Sequence, residues 1–334
     1  MKDAAKPAFG TVLTDTMAVA EYRDGGWQAH QLQPVAPIPM HPAAHVLHYG
    51  SECFEGFKAY RGKDGSVSVF RMDKHIARMR QSARQLVLPA PAAAQLATMV
   101  REVVRAAREQ VPEPPGALYL RPMLIGTTRN IGAAATPSAA AMLIVLASPV
   151  WDYFAGGAKP LRIFVEDQKT RTASHLGMVK TGGNYAAALG PTLEARKQYG
   201  IDQVLFCPGG AVQEPGASNF LLLRERHVLT RSLDSSFLHG VTRDSLLTMM
   251  RDSGFRVEER AFDVAEMLEW VKDGEAALAG TAAVLAGVGT LVTRNGEHQV
   301  GNGAIGPVTQ QLRRELVAIQ TGEAPDKRGW LERV

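Results

Sequence analysis

Gly177-Met178-Val179-Lys180-Thr181-Gly182-Gly183-Asn184-Tyr185, running into Ala186-Ala187-Ala188-Leu189, decides how this chain is read. A single lysine stands between apolar residues and a glycine pair, just ahead of an Ala-rich helix. The glycines let the backbone come close to another group, and Thr181 or Asn184 could cap the helix. A lysine held among apolar residues has its ammonium form disfavoured, which lowers its pKa and makes the amine nucleophilic. That suits imine formation with an aldehyde cofactor. Lysines are mostly exposed, however, and taken alone the stretch reads more often as a surface loop.

Downstream, strand and helix patterns alternate. Leu161 to Val165, Asp202 to Cys207, Asn219 to Leu223, His227 to Thr230 and 275–280 read as strands. Helices are expected over 184–199, 243–253 with Gly254 at its C′ position, 263–272 and near 307–320. Upstream, Ser148 to Gly157 carries aromatics and glycines and reads as an interdomain connector. Ala117 to Ile125 and Ala140 to Ala147 read as buried strands. Helices are expected over 92–110, and from an N-cap at Asp73 to Pro89, with Arg78 off the apolar stripe. Residues 9–50 read as short strands and turns, with a hairpin turn at Asp24-Gly25-Gly26. The expectation is an N-terminal domain over 1–147, a connector over 148–158 and a C-terminal domain over 159–334.

Composition narrows the function. Two cysteines, Cys53 and Cys207, make neither a disulfide framework nor a four-ligand zinc set. The start is polar, and the apolar runs are short of a membrane span, so a cytoplasmic protein is expected. The net charge of +4 is spread without a basic run, which does not point to nucleic acid. His41, His45 and His48 lie in a proline-rich stretch, and no metal site is expected there.

A second stretch, Val212-Gln213-Glu214-Pro215-Gly216-Ala217-Ser218-Asn219, adds a carboxylate. Pyridoxal phosphate needs an acid beside its ring nitrogen to stay an electron acceptor, and Glu214 could serve. With these two stretches, His48-Tyr49-Gly50, Phe54-Glu55-Gly56-Phe57-Lys58-Ala59-Tyr60-Arg61-Gly62, Tyr119-Leu120-Arg121-Pro122 and Gly240-Val241-Thr242-Arg243 complete a pattern. The chain resembles the branched-chain amino-acid aminotransferases of the fold type IV pyridoxal-phosphate enzymes, from Phe9 to Trp330. The resemblance implies a two-domain α/β (α+β) fold, with a smaller N-terminal domain and a larger C-terminal one carrying the lysine. It implies transamination of L-leucine, L-isoleucine and L-valine with 2-oxoglutarate, ping-pong kinetics and a homodimer.

It also assigns residues. Lys180 is the catalytic lysine that binds pyridoxal 5′-phosphate. Glu214 pairs with the ring nitrogen and Tyr185 with the 3′ oxygen. Arg78 is chosen for the phosphate, where the residues alone leave Arg71, Arg80 and Arg84 as equals. Val241 and Thr242, ahead of a helix opening at Arg243, and Thr281 complete the phosphate set. Phe9, Tyr49, Phe54 and Tyr119 line an apolar substrate pocket, and Arg121 and Ala282 place the carboxylate; Lys58 is a further candidate for a distal carboxylate. Each buried CH₂ of a branched side chain is worth about 0.8 kcal/mol there. Ala217 stands where some relatives have threonine. Ala283 and Ala286 replace the redox cysteines of mammalian members. The competing readings are a D-amino-acid or (R)-amine transaminase, an aminodeoxychorismate lyase, or a non-catalytic pyridoxal-phosphate-binding protein.

Overall fold

The computed structural model describes residues 7–151 and 159–334. They fall into two units. The first holds the residues up to Trp151 together with Val179–Gly182 and Ala318–Val334, and the second holds the rest.

In the first unit, strand β1 (Thr16–Arg23) turns through Asp24 and Gly25, both at positive φ, into β2 (Gly26–Trp27). Strand β3 (Gln31–Pro34) follows, then a short helix α1 (His45–Tyr49), β4 (Glu52–Phe54), β5 (Phe57–Arg61) and β6 (Val67–Phe70). Helices α2 (Met72–Gln85) and α3 (Ala93–Ala106) precede the long strands β7 (Ala117–Gly126) and β8 (Ala141–Val150). These strands and the C-terminal Leu331–Arg333 make one nine-stranded sheet, antiparallel throughout. Met79 of α2 and Val100 and Val103 of α3 pack with Leu118, Leu120 and Leu143 in the core. On β7 the period of two sends Leu118 and Leu120 inward, and Tyr119 and Arg121 share the opposite face.

The second unit opens with β9 (Leu161–Glu166), and α4 (Gly182–Tyr199) leads to β10 (Gln203–Phe206). Then come β11 (Asn219–Arg224), β12 (His227–Thr230), α5 (Val241–Asp252), β13 (Arg256–Glu259) and α6 (Val264–Trp270). Strands β14 (Glu275–Gly280), β15 (Val284–Thr293) and β16 (Gly296–Gln299) and helix α7 (Pro307–Gln320) close it. This eight-stranded sheet is mixed: β9 pairs in parallel with β10 and β15, and β12 in parallel with β13. Ala188 and Ala195 of α4 pack on Phe164, Val204, Phe206 and Val292.

The expected domain boundaries shift for identifiable reasons. Lys180 belongs to the first unit, because the Phe54 N–H donates to the Lys180 carbonyl at 3.0 Å. Leu331–Arg333 pairs with Ser68–Phe70, and the Arg71 N–H donates to Trp330 O at 2.7 Å, so the C-terminal segment packs there too. With these additions the two units are comparable in extent. Ser148–Val150, read as the start of the connector, extend β8 through pairing with Ala117–Tyr119. The remainder of the connector, 152–158, lies outside the described residues.

Local corrections follow the same logic. His45–Tyr49 is helical where only strands were expected, and 11–13 form no strand. Asp73 sits inside the first turn of α2. The N-cap is Arg71, held at φ 50° with its guanidinium 4.9 Å over the Trp330 ring. Helix α5 starts at Val241, two residues before the expected opening.

Candidate active site

Each unit carries one cluster of predicted residues. In the first, the backbone of Lys180 is clamped on both sides. Its N–H donates to Ser82 Oγ of α2 at 3.0 Å, and its carbonyl accepts from Phe54 of β4. The side chain is half-buried, with Nζ 4.9 Å from the centroid of the Phe54 ring. The surface-loop reading of this stretch therefore does not hold. Gly182 follows because the Glu52 carboxylate closes on its amide at the head of α4. A Cβ there would meet Glu52 Oε1 at 2.6 Å. Thr181 donates its hydroxyl to the same oxygen at 3.1 Å.

Of the two expected caps of α4, Thr181 turns its hydroxyl to Glu52 and Asn184 lies inside the helix. Asn184 is buried; its side chain donates to Leu176 O at 2.8 Å and accepts from the Thr172 hydroxyl at 2.5 Å.

A row of side chains extends from Lys180. The Arg121 guanidinium lies 4.5 Å over the Phe54 ring and donates to Tyr119 Oη at 3.0 Å. The Tyr119 ring meets Phe9 edge-on at 4.9 Å. Four predicted residues (Phe9, Phe54, Tyr119 and Arg121) are thus brought together with Lys180. Tyr49 is not among them: its hydroxyl donates to Ile131 O, and its ring leans on His45 at 4.8 Å. Gly56 makes room for the row, since a Cβ there would sit 1.9 Å from Tyr119 Oη.

Arg78 was expected off the apolar stripe of its helix, yet it is 8% exposed. Its fork grips Glu55, which is fully buried, through Nε at 2.6 Å and Nη2 at 3.0 Å. His75, one turn earlier, donates from Nδ1 to Glu55 at 2.7 Å and stacks on Phe57. Burial alone would raise the Glu55 carboxyl. The charges and hydrogen bonds of Arg78 and His75 more than reverse this and hold it well below the usual carboxylate range. Burial lowers the His75 pKa, helped by the Arg78 and Lys180 charges and opposed by Glu55. At neutral pH, His75 is therefore an uncharged donor whose Nδ1–H tautomer is fixed by Glu55.

In the second unit, Glu214 lies ahead of β11, its backbone paired with Phe206. It is 2% exposed, which removes the alternative of a carboxylate facing water. Oε1 accepts from Arg171 at 2.6 Å and from the Leu238 N–H at 2.9 Å; Oε2 accepts from Asn219 Nδ2 at 2.9 Å. Asn219 also donates to Leu238 O, and its Oδ1 would lie 1.9 Å from a Cβ on Gly240, the N-cap of α5. No side chain caps α5, and Val241 and Thr242, both buried, form its first turn. Tyr185 is half-buried in the first turn of α4. Thr281 and Ala282 are half-buried in the turn between β14 and β15. Val284, two residues after Ala282, has φ 64°, a strained conformation for a β-branched residue.

Each cluster, taken by itself, offers groups of the kinds that an anionic, aromatic aldehyde binds. In the first, the buried Arg78 suits a phosphate and the half-buried Lys180 amine suits an aldehyde. In the second, the uncapped amides of α5 suit an anion and the buried Glu214 acid suits a ring nitrogen. Arg121 Nε and Arg171 Nε are buried donors without a hydrogen-bond partner among the described residues, as are the Nε atoms of Arg224, Arg231 and Arg243. Sequence reasoning gave no role to Glu52, Glu55, Ser82, Arg171 or Asn219. Glu55 stood in a quoted stretch, but its partners lie on a helix 20 and 23 residues away.

The family described as amino-transferase class IV matches residues 52–289. A probable branched-chain-amino-acid aminotransferase of Streptomyces coelicolor is 40% identical over 98% of this chain and 92% of its own length. The branched-chain-amino-acid aminotransferase of Mycolicibacterium smegmatis is 37% identical over 99% and 93%. A branched-chain amino acid aminotransferase from T.th., solved with pyridoxamine 5′-phosphate, superposes with a TM-score of 0.78. It is 26% identical over 94% of this chain and 97% of that one.

Proposed function

The chain belongs to the class IV aminotransferases, and we propose that it transfers the amino group of L-leucine, L-isoleucine or L-valine to 2-oxoglutarate. The relatives and the solved structure bear branched-chain names over nearly the whole length of both chains, which supports the substrate class. The observation that carries the reading is the setting of Lys180: backbone clamped from two sides, amine against an aromatic ring.

Pyridoxal 5′-phosphate is the cofactor of this reading, and when bound it supplies the electron sink that lets the substrate Cα–H ionise. Lys180 Nζ holds the cofactor and then moves the proton at the substrate Cα. Arg78 binds the phosphate, with the Val241 amide, Thr242 and Thr281. Glu214 keeps the ring nitrogen protonated, and Tyr185 donates to the 3′ oxygen. Phe9, Phe54 and Tyr119 exclude water and take the branched side chain by burial. Arg121 and Ala282 orient the substrate carboxylate. The amino acid and the 2-oxo acid bind in turn, so the kinetics are ping-pong.

The active enzyme is a homodimer in this reading. Two features support it: Tyr49 stands apart from the row it was expected to join, and Leu189 and Leu193, one turn apart on α4, are exposed. A cytoplasmic location is supported by Cys53 and Cys207, which are free, buried thiols whose pKa values burial pushes up. No helix among the described residues is long and apolar enough to cross a membrane.

The test is the visible spectrum of the protein with its cofactor, before and after L-leucine and, separately, D-alanine. A band that shifts with L-leucine alone is the expected result. A shift with D-alanine alone moves the activity to the D-amino-acid branch. No cofactor band, even with pyridoxal phosphate supplied, overturns the assignment.

A further inference from the structure

We propose that Glu55 is the positioning residue of the phosphate-binding arginine: its buried carboxylate fixes the plane of the Arg78 guanidinium, and His75 and the Gly56 amide fix the carboxylate. The inference rests on the reading that Arg78 meets the cofactor's phosphate.

The geometry is saturated. Glu55 accepts from Arg78 Nε at 2.6 Å, Arg78 Nη2 at 3.0 Å, His75 Nδ1 at 2.7 Å and Gly56 N at 3.1 Å, with no exposure to water. Two parallel bonds from one edge of the fork fix the guanidinium in orientation as well as in place. His75 is held in turn by stacking on Phe57, ring centroids 4.7 Å apart and planes 18° apart. The helix closes the arrangement, because α2 carries His75, Arg78 and Ser82 among its buried residues, and Ser82 takes the Lys180 N–H. Phe54, next to Glu55, donates its N–H to the Lys180 carbonyl. Two adjacent residues and one helix face therefore tie the lysine backbone and the arginine fork into one frame.

Electrostatics makes the inference sharp. A buried ion pair adds little stability over a well-packed apolar pair, so the burial of Glu55 is not explained by stability. As a charge, Glu55 opposes phosphate binding, since it partly neutralises Arg78 and repels an anion. A carboxylate kept beside the arginine helps the phosphate only through orientation. The two roles predict opposite signs for its removal.

The experiment titrates the full-length apoprotein with pyridoxal 5′-phosphate and with pyridoxal, which lacks the phosphate, for the parent, Glu55→Gln and Glu55→Asp. Binding is read from the cofactor absorption and intrinsic fluorescence. Expected for Glu55→Gln is a fall of about tenfold or more in affinity for pyridoxal 5′-phosphate, with pyridoxal unchanged. Unchanged or tighter binding of pyridoxal 5′-phosphate overturns the proposal, as does an equal loss for both ligands. If Glu55→Gln does not fold, Glu55→Asp keeps the charge and moves it by one methylene. A reduced preference for the phosphate form supports positioning, and a parental preference overturns it. A parent chain that binds neither ligand refutes the cofactor reading itself, and this inference with it.

Discussion

Arg171 Nη2 and Glu214 Oε1 lie 2.6 Å apart, with both side chains almost wholly withdrawn from water. The pair holds an acid in the interior of the second unit, where it also accepts from Asn219 and the Leu238 amide. An acid that must keep a ring nitrogen protonated has to stay ionised despite burial, and a buried guanidinium does this directly.

Glu214→Ala is predicted to fail twice. It leaves Arg171 buried without its counter-ion, which costs about 3–5 kcal/mol of stability, and under the proposed function it also removes the acid from the ring nitrogen. Adding Arg171→Met should restore most of the thermal midpoint and none of the turnover. Recovery of turnover in the double variant would show that Glu214 has no role at the ring nitrogen.

Lys180→Ala should abolish transamination of L-leucine, by at least about 10³-fold, and leave the far-ultraviolet circular dichroism unchanged. The contacts that hold this segment use the backbone of Lys180, which alanine retains. Near-normal turnover by this variant would refute the assignment.

His75 and Glu55 make the first unit sensitive to acid. The folded pKa of each lies below its ordinary value, 6.5 for His75 and 4.5 for Glu55. In both cases the unfolded chain binds the proton more tightly, so stability falls as pH falls. The His75 contribution is complete above pH 6.5 and declines first; that of Glu55 declines below 4.5. His75→Asn should lower the thermal midpoint at pH 8, yet lose less than the parent between about pH 6.5 and 5. Parallel melting curves for the two proteins across that interval would exclude His75 as the titrating group.

Gly56→Ala should act on the substrate pocket, because the added methyl would occupy the place of Tyr119 Oη. Displacing the phenol breaks its bond to Arg121 and reshapes the row from Phe9 to Lys180. The expected result is a fall of roughly tenfold in kcat/KM for L-leucine, the scale of about 1–3 kcal/mol for overpacking. An unchanged value would place Tyr119 outside the pocket.

Much of the architecture was legible in local pattern. The apolar runs of β7 and β8, the helical spacing of α3, the Ala-rich run of α4, the Gly254 stop and the hairpin at Asp24-Gly25 all depend on residues within a few positions of one another. The period of a strand or helix, or the φ of a turn, is set at that range. Lys180, Glu214 and Arg78 stood out for the same reason, as stretches of unusual composition or as matches to a family pattern.

What the local pattern could not give was the partner of each charge. Arg78 reads as a solvated helix arginine until Glu55, 23 residues earlier, is folded against it. Arg171 has no signal at all until Glu214 arrives beside it. Lys180 follows the first domain in sequence but packs with it in space, because β4 and α2 hold its backbone. By itself the sequence determined most of the elements and offered candidate residues for the chemistry, since a period, a turn or a motif is written at short range. Only the tertiary structure decided which buried charges meet, because a buried ion is tolerated only where the whole fold brings its counter-ion and donors to the same place.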